Sequence, residues 1–360
     1  MKQLEIKAKA ITPIHFESGI FLTPLDFVIK NDIFYRIDFR KLSNNDHELF
    51  IKITDEIDKD NYKKAHKLLA ENFDAEFAVY SAVVGPKVLK KYKKSNFSPD
   101  EKFHIMSLIR SDAPRFAANI PGSSIKGAIR TAYLSCQLEE LDEQKRQEII
   151  KFKGAPPGGI SKYQWQEGKI LDSLFRLPGK KDRFIFDKYN DPFEDFAVED
   201  ILLDKEYLEI AQILNTKLNR NGELQFGKEY LVEAIPSMLS TNPTNTEFDI
   251  TIRLNKKSPI QTWDQLKSIL DEYFLIEIRR EINQLSMTSR FYWKDVAETL
   301  DRYQKDVDEV TALIRFGRYC GSNFTTVREF QKSPPKSRNI YDAGVPLGFV
   351  QLKILREIEI

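Results

Sequence analysis

The sequence predicts an α+β fold built from two units. Residues 4–11 and 247–254 alternate apolar and polar side chains, as half-buried strands do, and segments with helical apolar spacing lie between them. The order strand, hairpin and helix, followed by hairpin, helices and strand, fits two α+β units better than one parallel sheet. We therefore expect two ferredoxin-like (RRM-like) domains, residues 1–200 and 201–360.

The first unit opens with a strand and a hairpin. The strand at 4–11 ends at Thr12-Pro13, and the apolar segments 27–29 and 33–38 flank a short polar turn. From residue 42 to about 111 the sequence is highly charged and mostly helical in pattern, which predicts a largely helical insertion in the first domain.

This insertion contains the densest basic cluster of the chain. Its lysines surround Tyr92 and are Lys87, Lys90, Lys91, Lys93 and Lys94. Lysines with an interleaved aromatic residue suit a phosphate backbone. A solvated helix face has the same composition, so both interpretations stay open.

Helix and strand patterns alternate through the rest of the chain. The predicted elements are a helix at 138–151 ended by Gly and Pro at 154–159, a strand at 183–187, an amphipathic helix at 205–218, strands at 230–235 and 247–254 joined by a turn, helices at 263–285 and 296–315, and a last strand at 349–354.

The chain is organised around residues 119–133. Pro121-Gly122 is a turn signal, and either Ser123 or Ser124 is expected to cap the helix that follows. The apolar residues of this helix recur at helical spacing and should be buried; they are Ile125, Ile129, Ala132, Tyr133 and Cys136.

Two cations of the same helix, Lys126 and Arg130, lie four residues apart on a different face. The free N–H groups of the first turn, the helix dipole and Lys126 would converge on one point, which suits a phosphate. The alternative is a capped helix start that binds nothing. A nucleotide P-loop is excluded because Lys126 precedes Gly127, whereas the Walker A motif requires the lysine after its second glycine.

Composition indicates a folded protein of the reducing cytosol. The chain has 360 residues, of which 41% are hydrophobic, and it contains 25 Phe and 14 Tyr. No apolar run approaches the ~20 residues of a membrane span, and no signal-peptide apolar region is present. Cys136 and Cys320 are predicted to be core thiols. We expect a cytoplasmic protein that does not contact membranes.

The formal net charge is only +1, with 55 basic and 54 acidic residues. Nucleic-acid-binding proteins are usually more basic. If this chain binds RNA, its cations must be gathered on one face, as a subunit of a larger complex permits. The near-neutral charge also leaves open a scaffold that contacts only protein.

Few residues suggest catalysis. The four histidines, His15, His47, His66 and His104, show no ligand spacing, so no metal or other cofactor is expected. There is no GxSxG motif. His15 and Asp26 are the two candidates for catalytic groups, although a lone loop His or a lone Asp before a strand is more often structural.

The central motif carries a family resemblance. Residues 120–130 (IPGSSIKGAIR) resemble the helix-start signature of the RAMP superfamily, the ferredoxin-like RNA-binding subunits of CRISPR effector complexes. Residues 4–19, with Thr12-Pro13-Ile14-His15 and Gly19, and the segments 313–322 (LIRFGRYCGS) and 344–350 (GVPLGFV) point the same way. Their order most resembles the subunit that caps the 3′-side end of the guide RNA in type III-A (Csm) complexes.

This resemblance implies a non-catalytic subunit that binds CRISPR guide RNA, contacts a neighbouring backbone RAMP subunit and supports guide maturation and antiviral defence. Recruitment of host ribonucleases is part of the same implication. Nuclease relatives leave two enzymatic alternatives open: repeat processing with His15, or metal-dependent target slicing with Asp26.

The expected RNA contacts lie in the central motif and in the glycine-rich segments. Glycines allow close approach of the backbone, arginines bind phosphates, and Phe316, Tyr319 or Phe324 would stack on bases. The predicted site comprises Gly122, Ser123, Ser124, Lys126, Gly127, Arg130, Arg315, Gly317, Arg318, Gly321, Gly344 and Gly348, with Arg338 as a further phosphate contact.

Overall fold

The computed structural model describes residues 1–95, 97, 103–111, 116–150, 192–203, 208–218, 224–240, 243, 246–286, 291–321, 337–341 and 345–360. It is a mixed α/β structure with two large sheets, so the predicted α+β class is confirmed. Among the described residues, no helix has both the length and the apolar character that crossing a bilayer requires.

The strands are β1 Lys2–Ala10, β2 Glu17–Leu22, β3 Phe27–Lys30, β4 Ile33–Ile37, β5 Ala78–Val84, β6 Ile105–Leu108, β7 Ala118–Ile120, β8 Phe196–Val198, β9 Ile201–Leu203, β10 Glu209–Leu218, β11 Leu224–Ala234, β12 Glu247–Leu254, β13 Thr311–Arg315, β14 Ser337–Tyr341, β15 Val345–Pro346 and β16 Phe349–Glu359.

The α-helices are α1 Phe39–Asn45, α2 His47–Asp58, α3 Tyr62–Glu71, α4 Pro86–Tyr92, α5 Gly122–Glu140, α6 Glu143–Ile150, α7 Trp263–Leu270, α8 Ile276–Ser286 and α9 Phe291–Lys305. A π-helical turn, Asp271–Leu275, joins α7 to α8, and 3-10 turns occupy Pro24–Asp26, Ala75–Phe77 and Pro192–Asp195.

The first sheet is five-stranded and antiparallel, in the order β13-β16-β1-β12-β8. Its inner face is apolar because β1 and β12 alternate: Leu4 and Ile6 of β1 and Ile250 and Ile252 of β12 are fully buried or nearly so. Helices α5 and α7 and the π-helical turn pack on this face. The sheet therefore supports α5, the helix of the central motif.

The second sheet has nine strands, with the main order β2-β6-β11-β10-β5-β4-β3 and with β14 and β15 attached through β10. Most pairs are antiparallel, but β5 with β10 and β6 with β11 are parallel. The predicted hairpin is formed by β3 and β4, with Lys30 opposite Ile33. Helices α1 to α3 form a smaller core against this hairpin, through Leu42, Ile53 and Leu69 among others.

The predicted insertion at 42–111 is only partly helical. It contains α2, α3 and α4 and most of α1, but also β5 and β6, which pair with β10 and β11 in the second sheet. The segment is thus integrated into the sheet. The division into domains at residue 200 stays a prediction; both sheets contain strands from either side of that residue.

Three predicted elements in the second half are wrong. Residues 209–218 form strand β10, not a helix; Leu208, Ile210, Ala211 and Ile213 are buried on both faces, so the strand loses its alternation and resembles a helical pattern. The helix predicted at 296–315 ends at Lys305, and β13 follows.

The third wrong element is the hairpin predicted between residues 230 and 254. Strand β11 pairs with β10 in the second sheet, whereas β12 pairs with β1 in the first, so the turn between them carries the chain from one sheet to the other. The helix predicted at 138–151 is interrupted at 141–142, between α5 and α6. The elements predicted at 154–159 and 183–187 lie outside the described residues.

Candidate nucleic-acid interface

Helix α5 begins at Gly122, two residues earlier than a cap at Ser123 would place it and three earlier than a cap at Ser124. Pro121 is the N-cap residue, and neither serine has the capping position, so the prediction that Ser123 or Ser124 acts as the cap is wrong. The predicted buried face is confirmed: Ile125, Ile129, Ala132, Tyr133 and Cys136 are all buried.

The first N–H group of α5 already has an anionic partner. The Gly122 N–H donates to Oδ1 of Asp200 at 2.8 Å. A carboxylate here interacts favourably with the positive end of the helix dipole. The helix start that is predicted to bind a phosphate therefore already binds a carboxylate of the protein itself.

Gly122 is required by close packing. A Cβ atom at this position would lie 2.7 Å from the carbonyl carbon of Val198 and 2.8 Å from the carbonyl oxygen of Glu199, both of them backbone atoms. The backbone after β8 thus crosses directly over the helix start. Asp200 lies 78 residues from Gly122 in the sequence, so no local pattern predicts this contact.

The solvent side of the α5 start is formed by the other predicted residues. Ser123 and Gly127 are exposed, and Ser124, Lys126 and Arg130 are partly buried. The Arg130 guanidinium lies 5.9 Å from the ring centre of Phe193. Lys126 and Arg130 follow Gly122 by four and eight residues, so they lie on the flank of α5 beyond the N–H group that Asp200 binds.

The glycine-rich loop after β13 begins with a buried arginine. Arg315 is only 2% exposed. Its Nε donates to the carbonyl oxygen of Leu347 at 2.8 Å, and its guanidinium lies 4.3 Å from the Phe349 ring centre. Arg315 therefore ties the β13 end to the chain entering β16, which is a structural role.

Two glycines are needed for backbone conformation: Gly317 in this loop and Gly348 just before β16. Gly317 has φ +101° and a Cβ there would lie 3.0 Å from the carbonyl oxygen of His15, and Gly348 has φ +88° and lies against Phe316 and Cys320. Gly321 also has positive φ but has open space around it. Gly344 and Phe324 lie outside the described residues, as does the side chain of Arg338.

Arg318 and Tyr319 form the exposed part of the loop. The Arg318 side chain is 60% exposed, and its Nε lies 3.1 Å from Oε2 of Glu17. The ring of Tyr319 stacks on His15, with ring centres 5.9 Å apart and an interplanar angle of 18°. Phe316, by contrast, is buried and stacks on Phe16, so it is core rather than a stacking surface.

Backbone hydrogen bonds connect this loop to the central motif. The Arg318 N–H donates to the carbonyl oxygen of His15 at 2.7 Å. The next residue, Phe16, accepts from the Ile109 N–H at 3.1 Å, and Ile109 accepts from the Asn119 N–H at 2.9 Å. The fold thereby brings the predicted motifs at 15–19, 119–122 and 316–321 into one connected region.

His15 is not positioned for catalysis. The side chain is fully buried beneath Tyr319, and its Nδ1 lies 2.7 Å from the carbonyl oxygen of Glu233. Burial lowers the pKa of His15, so the ring is neutral at pH 7. Its Nε2 has no hydrogen-bond partner among the described residues. Because the ring is fully buried, a substrate could not reach this nitrogen without a local rearrangement of the structure.

Asp26 is engaged on both carboxylate oxygens. Oδ2 accepts from the Thr23 N–H at 2.7 Å and from its hydroxyl at 2.8 Å, and Oδ1 accepts from Arg36 at 2.8 Å. Asp26 thus fixes the turn before β3. Within the described part of the chain, no group of three or more His, Cys, Asp or Glu residues could hold a metal ion.

Comparison with known proteins assigns the family. A family model described as RAMPs, RAMP superfamily, matches residues 7–317. The chain belongs to the RAMP superfamily. The matched region includes the last residues of β1, the central motif, and β13 with the chain as far as Gly317, and the family resemblance is confirmed.

Relatives of this RAMP chain include CRISPR proteins. It is 30% identical over 140 residues to the "CRISPR system Cms protein Csm5" of Methanocaldococcus jannaschii, an alignment that covers 36% of this chain and 30% of that relative. The matched part is therefore under a third of the length of that relative.

Solved structures share the fold over nearly the whole chain. A chain of a Csm–crRNA–target RNA ternary complex from a type III-A CRISPR-Cas system superposes with a TM-score of 0.67 at 17% identity, covering 98% of this chain and 100% of that one. The crystal structure of T. onnurineus Csm5 gives 0.62 at 18% identity, covering 96% and 99%.

The five-stranded sheet of this RAMP chain does not offer an aromatic surface. The outward residues of β1 are Gln3, Glu5, Lys7 and Lys9, and none of the outward residues described on β1 and β12 is aromatic. Cross-strand ion pairs join Lys7 to Asp249 and Glu5 to Arg356. These two strands therefore lack the exposed aromatic side chains on which RRM sheets stack bases.

The lysine cluster of the RAMP chain lies on and just after α4. Lys91 pairs with Glu229 at 2.5 Å, and Lys93 lies 3.7 Å from Asp32. Tyr92 is partly buried and its hydroxyl is 3.0 Å from Nε2 of His66, whose pKa burial lowers to about 4. The aromatic residue of the cluster thus packs inward, which favours the solvated helix face over a stacking site for RNA.

Proposed function

We propose that this RAMP chain is a non-catalytic, RNA-binding subunit of a type III-A Csm complex and that it holds the 3′-side end of the CRISPR guide RNA. The main support is the fold match over 98% of the chain with a subunit of a Csm–crRNA–target RNA complex. The sequence relative named Csm5 and the superfamily match support the same assignment.

The mechanism we propose is recognition of the RNA backbone. Lys126 and Arg130 on the flank of α5, with the exposed Ser123 and Gly127 and the adjacent Ser124, would contact one phosphate group, and Arg318 would contact another. Gly122, Gly317 and Gly348 would act indirectly by fixing the backbone, and Gly321 and Gly344 would admit the strand. Base pairing between guide and target would supply the sequence specificity.

The same proposal extends to the domain structure, the location, the partners and the biological role of the chain. They are two ferredoxin-like domains, a cytoplasmic location, contact with the neighbouring backbone RAMP subunit, and support of guide maturation through host ribonucleases. The near-neutral charge fits this assignment because adjacent subunits would hold the same RNA and share its affinity.

The geometry supports a binding role over either nuclease alternative. His15 is buried beneath Tyr319, and both carboxylate oxygens of Asp26 serve the turn before β3. A general base needs to reach the proton that it removes. His15 lacks that access because it is buried, and Asp26, whose side chain is 28% exposed, already uses both oxygens for hydrogen bonds within the described structure.

Charge reversal on the α5 flank tests the proposal. We expect Lys126→Glu/Arg130→Glu to weaken binding of labelled guide RNA at least tenfold at 50 mM salt, and by less at higher salt, because fewer counterions are released on binding. The slope of log affinity against log salt should fall by about 0.7 for each phosphate that the variant no longer neutralises. Fluorescence anisotropy over a salt series measures both quantities.

The matched control is Lys52→Glu/Lys67→Glu, which changes the net charge equally at exposed positions on α2 and α3. Equal losses for the two double variants would show that only net charge matters and would contradict a site at α5. A wild-type chain that does not bind RNA would instead favour the protein-only scaffold.

A further inference from the structure

One face of the second sheet carries aromatic side chains beside the glycine-rich loop. Phe21 of β2 lies opposite Met106 of β6, and Met106 lies beside Val232 of β11. Paired residues of neighbouring strands share a face, and so do residues two apart on one strand. Tyr230 therefore lies on the same face as Phe21.

Tyr319 of the loop lies over this face. Its hydroxyl is 3.3 Å from Sδ of Met106, and its ring centre is 5.7 Å from that of Tyr230. The Tyr319 ring also stacks on the ring of His15. The backbone of Tyr319 has φ +68°, a conformation that a bulky residue rarely adopts, and the Arg318 N–H bond to His15 helps to hold it there.

The aromatic side chains of this face are not fully buried. Phe21 is 51% exposed, and Tyr230 and Tyr319 are partly exposed. The Arg318 guanidinium lies 5.7 Å from the Tyr319 ring centre and is largely in solvent. Partly exposed aromatic rings next to an exposed arginine are the combination that single-stranded nucleic acids bind, because bases stack on rings and phosphates bind the cation.

We propose that Phe21, Tyr230 and Tyr319, with Arg318, form a stacking face for unpaired nucleotides of the guide RNA. The inference rests on the proposed function and adds base contacts to a site otherwise limited to the backbone. Stacking of this kind tolerates any base. Arg318, which pairs with Glu17 in the free protein, would exchange part of that contact for a phosphate.

The test compares two RNAs of equal length and charge, one with bases and one abasic. We expect Phe21→Ala/Tyr319→Leu to weaken binding of the base-containing RNA about tenfold or more, and binding of the abasic RNA less than twofold, because only stacking is removed. Phe226→Ala removes another aromatic residue, 61% exposed and near the start of β11, and should change neither affinity, because the β-bulge between Phe226 and Glu229 puts Phe226 on the opposite face from Tyr230.

Equal losses on both RNAs, or no loss on either, would overturn the stacking face. Phe21→Ala alone keeps the test valid if the double variant folds poorly, since Phe21 is exposed; its loss should be about threefold and again confined to the base-containing RNA. If these variants release the neighbouring subunit in a pull-down while RNA affinity is unchanged, the face is a protein interface and the inference is wrong.

The double variant Lys126→Glu/Arg130→Glu separates this inference from the proposed function. It should weaken binding of both RNAs, because phosphates are present in each. One outcome is that the charge-reversal variant weakens binding of both RNAs while the aromatic variants change the two affinities equally. In that case the proposed RNA binding is supported and the stacking face is contradicted. If the wild type binds neither RNA, the proposed function itself fails.

Discussion

Replacing Glu233 by alanine is expected to lower the free energy of unfolding by about 3–5 kcal/mol, because it leaves a buried arginine without its counter-charge. Glu233 on β11 is completely buried. Its Oε1 accepts from the Tyr80 hydroxyl at 2.6 Å and from Nη2 of Arg110 at 2.8 Å. Oε2 accepts from the Ser107 hydroxyl at 2.8 Å and from the Leu108 N–H at 2.9 Å.

This carboxylate joins three strands of the second sheet, and the backbone carbonyl of the same residue binds His15. Its loss therefore loosens the region that links the loop after β13 to the central motif. Urea unfolding followed by circular dichroism measures the effect. The control is Glu229→Ala, on the same strand as Glu233. It removes a partly exposed partner of Lys91 and should lower the free energy of unfolding by no more than about 1 kcal/mol. Similar losses for both variants would contradict the assigned network.

Two glycines of helix α5 should respond to alanine in opposite directions. In Gly122→Ala the new Cβ meets the backbone of Val198 and Glu199, which cannot move cheaply, so we expect a loss of about 1–3 kcal/mol or more in unfolding free energy. In Gly127→Ala the Cβ meets nothing within 4 Å, and alanine is the better helix former, so a gain of about 0.5–1 kcal/mol is expected.

Thermal unfolding of the two variants on the same helix provides the comparison, with each serving as the control for the other. A destabilised Gly127→Ala, or a Gly122→Ala as stable as the wild type, would show that the helix start is packed differently. RNA affinity adds information at Gly127: a stable variant with weakened binding would indicate that RNA approaches the backbone there.

Local patterns were enough to predict the parts of the fold whose burial is one-sided. Strand β12 alternates cleanly, the β3–β4 hairpin has a clear turn, and the buried face of α5 follows helical spacing. Strand β10 was predicted to be a helix because it is buried on both faces and has no alternation to detect. Which strands pair is decided by contacts between distant residues, and the sequence alone contains no signal for these.

The same distinction explains the candidate site. The central motif was recognised from consecutive residues, but the partner of its first N–H group, Asp200, comes from a distant turn. Glu233 looks like an ordinary strand residue until Arg110 and Tyr80 are seen around it. Tyr230 and Phe21 could be linked to the glycine-rich loop only after the sheet order was known.

The central claim, that this chain holds the 3′-side end of the guide RNA, is tested most directly by site-specific photocrosslinking in a reconstituted complex. A guide RNA with a photoreactive base among its 3′-terminal nucleotides would be irradiated, and the crosslinked peptides identified by mass spectrometry. We predict crosslinks to this chain in peptides containing residues 119–133 or 313–321, and their loss in Lys126→Glu/Arg130→Glu. Crosslinks from these nucleotides to other subunits alone would contradict the account.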